Sequence, residues 1–483
     1  MLQATALGAR MCKAHSIYGG IAGVKENKPF GIKDKIGYMF GDFGNDFTFI
    51  LSSMILMKFY SDVMGVSVGI IGFMMMAARF VDAFTDVAMG QIVDRSRPGK
   101  KGKFLEWIRR MCGPVAVASF LMYASWFQDM SMEFKIFWMF FTYLLWGSVF
   151  YTSINIPYGS MVSAVSAESK DRAQLSNWRT IGSALAGTVI GVLLPLVIYY
   201  QDENGNRVLS GEKTMIAALF CSIGAVVCYL LCYVLMTERV KVERKTEKFN
   251  LGNMLTGLVK NKALVGIVVA SICLLLVQLT VSTMTTYVFP NYFGNTAAQA
   301  TTGLVGLVVT LGCAAFTVRL SQRFGRKELA IVSSLFGAAV FAVAYVLQVT
   351  NAWIFVIIYS ISYIGIAVFN LICWAMITDV IDDTEVQTGE RSDGTIYAVY
   401  SFARKLGQAA SSGVTGVLLT AIGYSQATAF DPKVTKGIYN LTCLVPAVGF
   451  ILLAVVLFFL YPLDRKCVEE NSRLLREKHE ARE

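Results

Sequence analysis

The sequence predicts an all-α membrane protein of twelve transmembrane helices, arranged as two six-helix pseudo-symmetric halves. Hydrophobic residues make up 55% of the 483 and charged residues only 16%, against roughly 45–50% and 25% in soluble domains. The apolar residues gather into runs of about twenty, the length that spans a hydrocarbon core. Those runs fall into two equal sets on either side of a charged segment.

Residues 1–35 are polar and basic, with Arg10, Lys13, Lys25, Lys28, Lys33 and Lys35. They lack the apolar centre of a secretion signal, so a cytoplasmic N-terminal extension is expected. The first half, 36–236, holds apolar runs near 37–62, 68–93, 111–127, 136–161, 181–200 and 214–236. A solvated linker, 237–262, mixes Arg239, Lys241, Arg244, Lys245 and Lys248 with Glu238, Glu243 and Glu247. The second half, 263–462, repeats the pattern near 263–289, 300–318, 329–348, 353–378, 396–422 and 438–462, and residues 463–483 form a polar tail.

Orientation follows from the 43 lysines and arginines. Most fall in the tails and in alternate loops, among them 95–110, 237–262 and 319–328. Positively charged loops stay on the cytoplasmic side, so both termini are expected there, in a multi-pass protein of the plasma (inner) membrane. The net charge of +10 is this asymmetry and needs no nucleic-acid partner. One segment of the cytoplasmic side, 379–395, is acidic instead, with Asp379, Asp382, Asp383 and Glu385. A carboxylate cluster at the inner ends of two helices reads as a gate, with Arg404 and the basic loops as partners.

Several chemistries are excluded. There is no phosphate loop of the G-x-x-x-x-G-K-[ST] kind, no H-E-x-x-H and no nucleophile elbow, so neither ATP hydrolysis nor an embedded hydrolase is expected. The only histidines, His15 and His479, lie in the tails. Cysteines such as Cys221, Cys228 and Cys232 fall within apolar runs, where cysteine acts as a small hydrophobe. No cofactor and no metal are expected beyond a coupling ion.

The informative residues are ionisable groups inside the helices. An aspartate at mid-membrane costs about 2.5–3.5 kcal/mol even on the permissive insertion scale. The second helix reads ARFVDAFTDVAMG, which places Asp82 and Asp86 one turn apart with Thr85 beside them. Oxygen ligands at that spacing suit a hard cation such as Na+, and a shared proton would equally relieve the repulsion. Arg79 can neutralise only one of the two. The first helix carries GDFGND, with Asp42, Asn45 and Asp46; Asp46 falls near the midplane, where transporters bind substrate.

The fourth helix contains YTSINIPYGS. Thr152, Asn155 and Gly159 share one polar face, and Pro157 is expected to open the helix locally. The eleventh reads IYAVYSFARKLGQA, with Tyr397, Ser401, Lys405 and Gln408 in one stripe. Buried Lys405 can donate to sugar hydroxyls or serve as countercharge to Asp46. Arg404 points away from it. Tyr38, Tyr151, Tyr158, Trp178, Trp374 and Tyr400 supply aromatic faces of the kind that stack on sugars.

The segments KIGYMFGDFGND, ARFVDAFTDVAMG, NIPYGS, DVIDDTEVQTGER, SFARKLGQA and LYPLD resemble the glycoside–pentoside–hexuronide:cation symporters of the major facilitator superfamily, from about Lys35 to Asp464. The loops GQIVDRSRPGKK and RLSQRFGRK look like the paired basic loops of that superfamily. The resemblance implies a cation site at Asp82, Thr85, Asp86 and Thr152. It implies a substrate site at Asp46, Arg179 and Lys405, to which position adds Asn45, Asn155, Tyr151 and Trp374. Asn45, Asn155 and Gly159 replace a Lys, an Asp and a Trp of the family's melibiose-transporting members. The implied activity is uptake of a glucuronide, xyloside or related glycoside, driven by Na+ or H+, by a protein acting as a monomer in the bilayer. Lysolipid symporters of the same branch are the alternative.

Overall fold

In a computed structural model of the chain, the described residues are 29–166, 168–240, 261–388 and 393–480. They form twelve long helices. The first six are α1 (Ile32–Asp62), α2 (Val68–Arg95), α3 (Phe104–Leu121), α4 (Met132–Ser160), α5 (Ser169–Val197) and α6 (Gly211–Leu235). The second six are α7 (Lys262–Tyr292), α8 (Thr296–Phe324), α9 (Arg326–Leu347), α10 (Ala352–Thr388), α11 (Asp393–Ala421) and α12 (Pro432–Leu460). An amphipathic α13 (Arg465–Glu480) follows. A hairpin of β1 (Tyr199–Gln201) and β2 (Arg207–Leu209) joins α5 to α6. Among the described residues, nine of the long helices hold a stretch long and apolar enough to cross a membrane; α1, α3 and α11 are more polar along their length.

Local chemistry sets the helix ends. Asn261 and Asn295 accept from the backbone N–H groups of Leu264 at 3.0 Å and Ala298 at 2.9 Å, capping α7 and α8. Asp34 accepts from Gly31 N at 3.0 Å and holds the Arg239 guanidinium at 2.9 and 3.0 Å, tying the exit of α6 to the start of α1. Glu238 accepts from Lys103 N at 2.8 Å and Leu105 N at 2.7 Å, closing the basic loop onto α3. Burial raises the Glu238 carboxyl above its usual range, opposed by those N–H donors. Gly325 alone separates α8 from α9, with φ of +100°, a conformation costly for residues with a Cβ.

Within the first six helices, α1 packs along α5 and α6, and α4 along α2 and α3. Within the second six, α7 packs along α11 and α12, and α9 along α10 and α12. The two sets meet through α2 against α11 and α5 against α8. Each contact pairs the second helix of one set with the fifth of the other, as a pseudo-twofold requires. Both crossings need glycine. A Cβ on Gly72 would lie 2.9 Å from Gly416 Cα, and one on Gly303 would lie 2.5 Å from the Gly191 carbonyl carbon. Both crossings lie at the end of the bundle opposite the termini.

Lys58 joins the halves at that same end. Its side chain is 1% exposed. Its Nζ lies 2.9 Å from Asp62, 2.7 Å from Asn291 Oδ1 on α7 and 3.2 Å from the Tyr424 hydroxyl beyond α11. Tyr424 also donates to Asp62 at 2.8 Å, and Tyr199 donates to the Thr286 carbonyl at 3.2 Å.

Three expectations need correction. The acidic run Asp379–Glu385, expected as part of a loop at 379–395, forms the last turns of α10, which continues to Thr388; Arg326 of α9 neutralises Asp379. Helix α3 begins at Phe104 rather than near 111, and α5 at Ser169 rather than near 181, because their opening turns are helical but too polar to register as apolar runs. The helix containing Pro157 is regular there, and α4 departs from α geometry earlier, in a π-helical stretch at Leu145–Tyr151. Helix widening from an extra residue needs no proline. Residues 1–28 and most of the linker, 241–260, lie outside the described residues.

Candidate functional site

The site builds from two parallel rungs between α2 and α4. Residues 82 and 86 lie one turn apart on α2, and 148 and 152 one turn apart on α4. Ser148 Oγ donates to Asp82 Oδ1 at 2.6 Å, and Thr152 Oγ1 lies 2.9 Å from Asp86 Oδ1. The other oxygen of each carboxylate meets a base. Arg79 Nη1 lies 3.1 Å from Asp82 Oδ2, and Lys405 Nζ, from α11 in the opposite half, pairs with Asp86 Oδ2. The Arg79 guanidinium also sits 5.4 Å from the Phe49 ring centre. Thr85 turns its hydroxyl back to the Asp82 carbonyl at 3.2 Å.

The sequence gives Lys405 two roles, donor to sugar hydroxyls or countercharge to Asp46. The structure pairs it with Asp86 instead, because α11 packs directly along α2. On α1, Asp42 is buried and accepts from Arg179 Nε at 2.9 Å. The Arg179 guanidinium lies 5.5 Å from the ring centre of Tyr158, itself stacked on Tyr38 at 4.5 Å. Asp46 has a buried oxygen, Oδ2, with no hydrogen-bond partner among the described residues, and Ser183 adjoins its carboxyl. Asn45 faces α6, accepting from the Tyr229 hydroxyl at 2.9 Å. Tyr151 stands between Phe49 and Trp146, 6.0 and 5.3 Å from their ring centres.

Asn155 is half-buried one turn beyond Thr152, and nothing lies within 4 Å of a Cβ built on Gly159. Across the bundle Trp374 is 46% exposed and meets Tyr400 edge-on at 5.2 Å. A cavity lined by Phe49, Arg79, Thr283, Gln408 and Ser411 lies beside these groups, between the halves.

The acidic end of α10 is a separate cluster. Asp379 pairs with Arg326 of α9. Asp383 accepts from Gln387 at 2.7 Å and from Asn471 of α13 at 3.0 Å. Glu385 is buried, Asp382 half-buried, and Arg404 lies beside Tyr400 and Cys373.

Sequence reasoning missed Ser148, Asp42's pairing with Arg179, and the Lys58 cluster. Ser148 stands four residues before Thr152, the spacing already seen between Asp82 and Asp86. Lys58 carried only the oddity of a basic residue near the far end of an apolar run.

A family model described as MFS/sugar transport protein matches residues 37–465. An uncharacterized symporter of Bacillus subtilis is 30% identical over 95% of this chain and 98% of its own length. A glucuronide carrier protein homolog of Escherichia coli is 28% identical over 92% of this chain and 95% of its own. An isoprimeverose transporter of Lactiplantibacillus pentosus is 29% identical over 91% and 92%. Among solved structures, a D-xylose-proton symporter superposes with a TM-score of 0.62 at 14% identity, over 89% of this chain and 97% of that one, a likeness of fold.

Proposed function

The chain belongs to the MFS/sugar transport protein family, and we propose that it couples inward movement of Na+ or H+ to uptake of a glycoside across the plasma membrane by alternating access. It is a multi-pass membrane transporter and not an enzyme. All twelve long helices cross the bilayer in this reading, with both termini in the cytoplasm, and the protein acts as a monomer. The substrate is a glucuronide, xyloside or related sugar.

The observation that carries the reading is the Asp86 carboxylate, shared between Thr152 of its own half and Lys405 of the other. Asp82, Asp86 and Thr152 converge as oxygen ligands suited to a hard cation, with Thr85 adjoining. Three carboxylates have basic partners: Asp42 with Arg179, Asp82 with Arg79 and Asp86 with Lys405. Asp46 has no ion pair among the described residues, so the group is one positive charge short. A cation at Asp82 and Asp86 supplies that charge and competes with Lys405. The released ammonium then turns to the substrate, beside Asp46, Arg179, Asn155 and the rings of Tyr151 and Trp374, while Asn45 stays hydrogen-bonded to Tyr229 of α6.

Binding of either ligand thus alters contacts between the halves, which is what coupling requires. One cation crossing about 100 mV supplies roughly 2.3 kcal/mol, enough for about fifty-fold accumulation. The Lys58 cluster closes the outer end, whereas Arg179 and Trp374 remain exposed, as in a state facing the cytoplasm. Asp379, Asp382, Asp383 and Glu385, with Arg404, form the gate at the inner end and engage across the halves when the protein faces outward.

The test is uptake into vesicles of labelled glucuronides, xylosides, a sulfonated sugar and a lysolipid, each with and without an imposed Na+ or proton gradient. Uphill accumulation of one glycoside that collapses with one of the gradients is the expected result. Uptake of every glycoside that is indifferent to both gradients contradicts symport.

A further inference from the structure

Helix α8 turns one face toward the first half. Gly303 on that face meets Gly191 of α5, and Gln299, four residues earlier, lies one turn nearer the outer end on the same side. Gln299 is only 1% exposed, yet neither amide atom, Oε1 or Nε2, has a hydrogen-bond partner among the described residues. Tyr199, from the hairpin of the other half, adjoins the amide but gives its proton to the Thr286 carbonyl at 3.2 Å. Tyr287 on α7 repeats the pattern. Its hydroxyl is also buried without a partner among the described residues, and the adjoining Ser61 gives its proton to Asp62 at 2.7 Å.

A buried amide with both donor and acceptor unused has lost its hydration and gained nothing in exchange. Closure of the outer end therefore does not explain Gln299, since an apolar side chain of similar length would serve that packing better. The interface that covers it is the one that must part when the protein faces outward. Gln299 then becomes free to bond, beside the rings of Tyr199 and Tyr287. The Tyr287 ring centre lies 4.5 Å from Lys58 Nζ and 5.0 Å from that of Tyr424, which it meets edge-on. An amide presents donor and acceptor side by side, the pairing that adjacent hydroxyls of a sugar offer in return. The rings supply apolar faces for its C–H groups.

We propose that Gln299, with Tyr199 and Tyr287, forms an outer subsite that a glycoside touches when the halves part at that end, before it reaches the central residues. This rests on the reading of the protein as a glycoside symporter and adds a contact on the entry side of the path. With the outer end closed, the subsite is folded shut and its amide is unsatisfied. Sugar hydroxyls that satisfy the amide bind the open form alone, and so draw the protein toward it.

The experiment compares the two faces of the full-length protein, with labelled methyl β-D-xyloside and methyl β-D-glucuronide as probes. KM is measured in right-side-out and in inside-out vesicles, and thermal unfolding is followed on the purified protein in detergent. Gln299→Leu is expected to raise KM from the outer face by about fivefold or more, the scale of one lost hydrogen bond. KM from the cytoplasmic face should stay within about twofold, because that face does not expose the subsite. The unfolding midpoint should rise, since the unsatisfied amide is gone, whereas losing a residue that closure needs would lower it. Gln299→Asn, which keeps an amide, should recover part of the outer affinity. If Gln299→Leu does not insert, Gln299→Ala supplies the same comparison of KM values. A lower midpoint in Gln299→Leu, with both KM values moved alike, overturns the subsite and assigns Gln299 to packing. Unchanged KM on both faces overturns it whatever the midpoint does. Failure of the unaltered protein to take up either glycoside instead removes the reading beneath the proposal, and the subsite with it.

Discussion

Lys58 Nζ on α1 lies 2.7 Å from Asn291 Oδ1 on α7, a contact between buried side chains of opposite halves. Asp62 neutralises the lysine from the next turn at 2.9 Å. The pair therefore belongs to one half, while its hydrogen bonds reach the other. Such an arrangement can be broken between the halves without separating the two charges.

Removing the ammonium leaves Asp62 buried without its base, which typically costs about 3–5 kcal/mol. Lys58→Ala is therefore expected to open the outer end and slow transport. A cysteine placed at Thr283, buried beside the cavity between the halves, should then react faster with a membrane-impermeant thiol reagent from outside. Lys58→Ala combined with Asp62→Ala should recover part of the loss. Unaltered labelling in the single variant argues against a closing role.

The glycine crossings give a second handle on the same closure. The Gly191–Gly303 approach leaves no room for a side chain, and overpacking typically costs about 1–3 kcal/mol. Gly303→Leu should wedge α5 from α8 and cut transport at least tenfold, with Gly303→Ala milder. Normal transport by Gly303→Leu would show that the helices never need to approach this closely.

Asp82→Asn and Asp86→Asn should each abolish cation-driven accumulation while the protein still inserts. Counterflow, which needs no gradient, should survive better than uphill uptake. Wild-type accumulation in both variants removes the coupling role.

Asp46→Ala and Lys405→Ala are expected to weaken substrate binding itself, by about tenfold or more if each removes a hydrogen bond to a charged group, typically about 1.5–3 kcal/mol. Equilibrium binding in detergent is the measurement. Lys405→Ala should also strengthen cation binding, since it frees Asp86 of its competitor. Loss of cation affinity in Lys405→Ala would mean that the lysine organises the cation site instead of competing for it.

For the proposed inner gate, Asp379→Asn with Asp383→Asn should favour the state open to the cytoplasm, slowing transport with little loss of binding. Thiol labelling from the cytoplasmic side should rise. A fall in transport without that rise assigns the cluster to folding, through Arg326 and Asn471.

The sequence by itself determined the helical membrane class, because hydrocarbon leaves a chain no other way to satisfy its backbone over runs of twenty apolar residues. It also singled out Asp82 and Asp86, since charges at such depth and one turn apart stand out against an apolar background, and helical periodicity fixes their shared face. What it left open is which residue answers each charge. Arg79, three residues from Asp82 on the same helix, could be read directly. Lys405 is 319 positions from Asp86, and only the packing of α11 along α2 gives it Asp86 rather than Asp46. Ser148 was passed over for a related reason: its partner Asp82 lies on another helix, 66 positions away in the chain. The Lys58 cluster draws on α1, α7 and the segment after α11, so its contacts exist only once the two halves meet. Local spacing decides which residues share a helix face; the tertiary structure decides what that face meets, because partners for buried charges come from segments remote in the chain.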